Sequence, residues 1–225
     1  MLASCADEFE KIAEISSDQL PRSFRGMVTD SVSELKEQLR PGDVLISKSS
    51  RPSDGIYNQG IQVLQRVRGT SAPMAAWTHT AMYVGDGNIV HNYPGIRGKN
   101  SSTVEQVVRK HKIDTLVNFH GGRDLLAYRP KVSPGERREA AEAALGSLGT
   151  PYNYWEGLRA AFLPAGAEED EAPDLKAAAI CTRLIADAYS GIKFSRKRSR
   201  RHLMARDFMR SGKMVPVGAL SRSAE

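Results

Sequence analysis

The chain has 225 residues, of which 40% are hydrophobic and 26% charged, with a formal net charge of +6. That length can bury a full core and favours one domain of generous size, the composition excludes a disordered chain, and no apolar run approaches the ~20 residues of a membrane span. Two cysteines, Cys5 and Cys181, are too few for a disulfide framework or a cysteine-built metal cluster; neither a metal nor a cofactor is expected.

The opening MLASC resembles the cleavage box of a bacterial lipoprotein signal, but the charged and apolar regions that precede such a box are missing. The expectation is a cytoplasmic protein, or one exported without a cleavable signal. Residues 4–38 carry apolar residues at three and four spacing with a break at Pro21, which predicts a helical preface, taken as an extension over 1–39. RPGDVLIS (40–47) turns at Pro41-Gly42 and enters a strand.

GIYNQGIQVLQRV (55–67) reads as a helix, and THTAMYVGDGNIVHNYPG (78–95) as two antiparallel strands around an Asp-Gly turn. A helix is predicted over 103–112, a strand over 124–131 stopped by Pro130, and a surface helix over 134–148, with Pro near its start and an acid in its first turn. The stretch 164–174 is rich in Pro, Gly and acids and reads as a loop. The cysteine helix follows, then the basic run RKRSRR (196–201) and a last strand at 214–217. Contiguous strands flanked by helices predict an α+β domain with a mostly antiparallel sheet over 40–218, followed by a tail over 219–225.

The excess positive charge suits an anionic polymer, a lipid surface or nucleic acid, and nucleic acid is set aside because no aromatic side chains interleave the basic run. Cys181, Leu184, Ile185 and Ala188 form the apolar stripe of a buried helix, so core packing is one reading of the cysteine. The other is chemical. A thiol is nucleophilic as thiolate, and its pKa falls at a helix start and beside an imidazole.

His79 begins the first strand of the hairpin and His91 ends the second. A turn centred on Asp86 and Gly87 sets residue 79 near 93 or 94, with His91 about one pair away. Whether the two rings share a face depends on the turn type and any bulge. His111, His120 and His202 stand in polar or surface-helix surroundings and are given no chemistry.

PGDVLIS, WTHTAMYVGDGNIVH, LLAYRP, GTPYNYW, ICTRLIADAY and ARDFMRSGKMVPVG, in this order, resemble the circularly permuted NlpC/P60 papain-like superfamily, in its YiiX/YaeF-like branch related to lecithin retinol acyltransferase. The resemblance spans roughly residues 40 to 217. It implies a papain-like antiparallel sheet packed against helices, with Cys181 as nucleophile, His79 as general base and His91 as the third polar residue. Thr182 stands where the family usually has Ser, and His91 where the closest relatives often show Glu. Tyr152, Tyr154 and Trp155, with Asn153, would line the substrate groove.

A cysteine hydrolase is implied, working through a thioester and cleaving amide bonds in cell-wall peptides, with peptidoglycan as the anionic partner. A thiol acyltransferase or lipid deacylase and a non-catalytic binding module are the alternatives.

Overall fold

The computed structural model describes residues 20–48, 62–63, 65–66, 70–93, 107–119, 124–150, 181–196 and 203–221. Among them are seven strands: β1 (Val28–Thr29), β2 (Val44–Lys48), β3 (Trp77–Gly85), β4 (Asn88–Tyr93), β5 (Val107–Lys112), β6 (Leu125–Pro130) and β7 (Met214–Leu220). Six α-helices accompany them: α1 (Val32–Gln38), α2 (Ala72–Ala75), α3 (Ile113–Phe119), α4 (Pro134–Gly146), α5 (Cys181–Ala188) and α6 (Ala205–Arg210). The class is α+β. The strands form one mixed sheet in the order β1-β7-β6-β2-β3-β4-β5, parallel only where β1 meets β7 and antiparallel elsewhere.

The sheet is covered on both faces because its central strands are apolar on both. Val44, Ile46, Met82, Val90 and Leu126 share one core with Ala140 and Ala144 of α4, Leu184 and Ile185 of α5 and Phe208 of α6. Leu45, Ala81, Ile89, Leu125 and Ala127 point the other way, into a second core with Leu35 of α1 and Ile113 and Leu116 of α3. At about 25 cal/mol per Å² of apolar surface removed from water, two such cores are the dominant favourable term.

Several predicted elements recur with local reasons. The hairpin turns on Asp86 (φ 53°) and Gly87 (φ 68°), the paired positive φ of a type I′ turn. Helix α4 opens with a capping box, in which Ser133 Oγ accepts from the Glu136 amide at 3.2 Å while Glu136 accepts from the Ser133 amide at 2.8 Å. It ends at Gly146, and Leu148, placed on its apolar stripe by the sequence, is exposed.

Other expectations are corrected. Residues 107–112 are a strand and not part of a helix, because Val107 to Lys112 pair in register with Tyr93 to Asn88 along the sheet margin. Residues 22–24 form a 3-10 turn and 28–29 a short strand, so only 32–38 of the described preface is α-helical. Both β1 and α1 are built into the sheet and its second core, and β7 continues to Leu220. Residues 1–19, most of 55–67 and all of 164–174 lie outside the described residues, as does the basic run beyond Arg196. No helix among the described residues is long and apolar enough to cross a membrane.

Candidate active site

His79 and His91 are brought together by the hairpin register. Ala81 pairs with His91, so the position across from His79 is 93, and His91 is its diagonal neighbour on the same face. The rings meet with His79 Nε2 3.0 Å from His91 Nδ1. Ala81 and Ile89 belong to the second core, so both imidazoles stand on the face of the sheet away from α5.

Cys181 approaches β3 from the other side. Its helix packs on β3 through the first core, and the hydroxyl of Thr182 anchors the first turn on the Leu203 carbonyl at 2.7 Å. The amide and the hydroxyl of Thr80 lie beside the sulfur, near enough to favour its thiolate. Tyr83 exchanges hydrogen bonds with Asp43 and Gly42 on the β2 side, at 2.8 Å each, so strand alternation turns the Thr80 amide toward β4. The β3–β4 ladder ends at Ala81–His91, one residue short of Thr80. The thiol is therefore held where the two strands stop pairing, one peptide unit from His79 and on the strand pair that carries both rings.

The strand is irregular at this point. A bulge sets both Trp77 and Thr78 against Lys48, so that Ser47 pairs with His79. Ser47 Oγ, Trp77 Nε1, Thr78 Oγ1 and Thr80 Oγ1 are buried and have no hydrogen-bond partner among the described residues. The Thr80 hydroxyl is within reach of the sulfur without the geometry of a bond to the neutral thiol; it acts on the thiolate. Each unsatisfied buried group costs about 1–3 kcal/mol, so four on two adjoining strand ends mark a place that the core alone does not explain.

Lys48 lies at the same end of the sheet, buried in an ion pair with Asp124 at 3.2 Å. Arg206 of α6 is also buried, and it bonds Thr70 Oγ1 and, at 3.2 Å, the Gln65 carbonyl. The Gln65 amide in turn donates to the carbonyls of Ala75 and Trp77, at 3.2 Å each. This network braces the segment leading into the bulge.

Burial pushes the Cys181 thiol above its ordinary value, against the opposing pull of the Thr80 amide and hydroxyl and the amides of Thr182 and Cys181. The sequence predicted a lowered thiol. Desolvation outweighs the helix start because the side chain is only 7% exposed. Burial, then the neighbouring His79 and His111, hold His91 well below the usual histidine range, so it is neutral at pH 7.

The sequence missed His111. It faces the second core from β5, where it pairs with Ile89, and its Nδ1 lies 2.8 Å from His91 Nε2. Reading 103–112 as a strand would have put it in step with His91; reading it as a helix hid that. Thr80, adjacent to the predicted base, was likewise not singled out.

The ring nitrogens of the three histidines face one another and not a common point, and no group of three or more His, Cys, Asp or Glu among the described residues could hold a metal ion. Tyr152, Tyr154 and Trp155 lie outside the described residues. No protein-family model matches the chain, and no curated protein matches it.

Proposed function

We propose that the chain is a cysteine hydrolase of the papain-like, circularly permuted NlpC/P60 type, acting on amide bonds of cell-wall peptides. The observation that carries this reading is the Cys181 sulfur held beside Thr80 at the open end of the β3–β4 ladder, next along β3 to His79, whose ring meets His91 at 3.0 Å. The net charge of +6 suits an anionic polymer such as peptidoglycan, and Tyr152, Tyr154 and Trp155 are proposed to line its groove.

The resting thiol keeps its proton, because burial raises its pKa. In this reading the His79 ring reaches the sulfur around the open end of the β3–β4 ladder and accepts that proton as the sulfur attacks the acyl carbon, while the nearby Thr80 amide and hydroxyl stabilise the negative charge on sulfur. Collapse of the tetrahedral adduct gives a thioester, and the leaving amine takes the proton from His79. Water, deprotonated by His79, then cleaves the thioester and restores the thiol. The Cys181 amide at the helix start is proposed to bind the oxyanion.

The same raised thiol, on a stripe with Leu184 and Ile185, supports a second reading in which Cys181 only packs the core. Iodoacetamide labelling across pH separates the two. A hydrolase labels at Cys181 about tenfold or more faster with His79 present than in His79→Ala, in keeping with general-base assistance; equal rates sink the catalytic reading. Muropeptides tested beside acyl esters then distinguish an amidase from an acyltransferase or lipid deacylase, with Cys181→Ala as the inactive control.

A further inference from the structure

Among the described residues the proposed chemistry leaves one imidazole unused, that of His111. His111 Nδ1 lies 2.8 Å from His91 Nε2, and His91 presents its other nitrogen to His79 Nε2 at 3.0 Å. The three rings cross β3, β4 and β5 diagonally, since Ala81 pairs with His91 and Ile89 with His111. They run from His79, 6% exposed, through His91, 4% exposed, to a partly exposed His111 at the sheet margin.

A neutral imidazole has one N–H and one lone pair, so the two contacts of His91 have opposite polarity. With its proton on Nδ1, His91 donates to His79 Nε2 and drives the His79 proton to Nδ1. With its proton on Nε2, His91 donates to His111 and accepts from His79 Nε2–H, which leaves His79 Nδ1 unprotonated and able to take a proton. Only the second polarity persists once His79 is protonated, because an imidazolium donates from both nitrogens.

We propose that His111 is a positioning residue: by accepting from His91 Nε2–H, it holds His91 in the tautomer that accepts from His79 Nε2–H. In a Ser-His-Asp triad a carboxylate fixes the tautomer of the base; here a second and a third imidazole share that task. The inference rests on the reading of His79 as the base of Cys181.

The charges around His111 favour the required neutral form. Arg109 is two residues back on the same strand face; burial and that cation both oppose a proton on His111. Lys110 and Lys112 alternate to the other face. Helix α3 brings Asp114, whose carboxylate is taken by Lys36 of α1 at 2.5 Å, and β4 brings the neutral His91. A protonated His111 would present Nδ1–H to His91, push the His91 proton to Nδ1 and so drive the His79 proton onto the nitrogen that has to accept one.

The test is ring ¹H–¹⁵N correlation spectroscopy of the full chain at about pH 8, above the ordinary histidine range. It is run on wild type, His111→Phe, which lacks the acceptor, and His111→Asn, whose Oδ1 stands close to the former Nδ1. His91 is expected as the Nε2–H tautomer in wild type and His111→Asn, and as Nδ1–H or a mixture in His111→Phe. Cys181 alkylation should slow about 10–100-fold in His111→Phe, the range for loss of an outer-shell partner, and recover in His111→Asn.

Nδ1–H on His91 in wild type, or a tautomer unmoved in His111→Phe, overturns the proposal. Should the tautomers behave as stated while alkylation ignores His79, the hydrolase reading is what fails, and tautomer control by His111 stands.

Discussion

Arg129 grips Asp43 at two points, Nε to Oδ1 at 2.9 Å and Nη2 to Oδ2 at 2.7 Å. The clasp joins the residue before β2 to β6, and the aspartate side chain is fully buried. Asp43 also accepts the Arg40 amide at 2.8 Å. Arg129→Met would leave a buried carboxylate with one backbone donor and is expected to cost about 3 kcal/mol. A urea midpoint shift at unchanged slope measures it. Asp43→Asn should cost less, because Arg129 is partly exposed and can turn to water.

Gly42 has φ +89°, and a Cβ there would meet the Arg137 carbonyl and Tyr189 Oη at 2.5 Å each. Gly42→Ala adds left-handed strain to a clash with backbone, so a loss of about 2–4 kcal/mol is expected. Tyr189→Phe, which removes only a hydroxyl, should cost nearer 1 kcal/mol. Thermal unfolding of the two variants side by side gives the comparison, and equal losses would contradict the close packing.

Thr80 is fully buried, and its hydroxyl has no hydrogen-bond partner among the described residues, while that hydroxyl lowers the Cys181 pKa. Thr80→Val keeps the shape and removes the unsatisfied group. Stability should hold or rise by up to about 1 kcal/mol, and Cys181 alkylation at a fixed neutral pH should slow. A loss of stability together with unchanged alkylation would show that the hydroxyl serves the fold and not the sulfur.

His91 is held below the usual histidine range mainly by burial. The folded chain therefore binds fewer protons than the unfolded chain once pH falls below about 6.5, the unfolded histidine value, and stability falls with pH from there down to the folded pKa. The slope from His91 approaches about 1.4 kcal/mol per pH unit. Urea unfolding between about pH 7.5 and 5 should show it, and His91→Gln should flatten it.

What the sequence made legible was local chemistry with a short period. The Asp-Gly turn, a two-residue hinge between apolar runs, placed residue 79 near 93, as the Ala81–His91 pairing requires. Strand β5 was not legible, because Arg109, Lys110 and Lys112 are good helix formers that a sheet margin also welcomes, where cations discourage edge pairing. That one misreading removed His111 from the site. Strand β1, two residues long, has no period to read. The raised thiol was out of reach as well, since it depends on how deeply the sheet and α5 bury the sulfur.

Tyr189, in the turn that closes α5, donates its hydroxyl to the Gly42 carbonyl at 2.5 Å. The helix is thus pegged at the end remote from its cysteine, about 12 Å along its axis at 1.5 Å per residue. Slackening that peg would free the far end of the helix, so the turn ahead of β2 helps to fix where the Cys181 sulfur sits beside Thr80. Substitutions there would surface as altered chemistry at a sulfur they never touch.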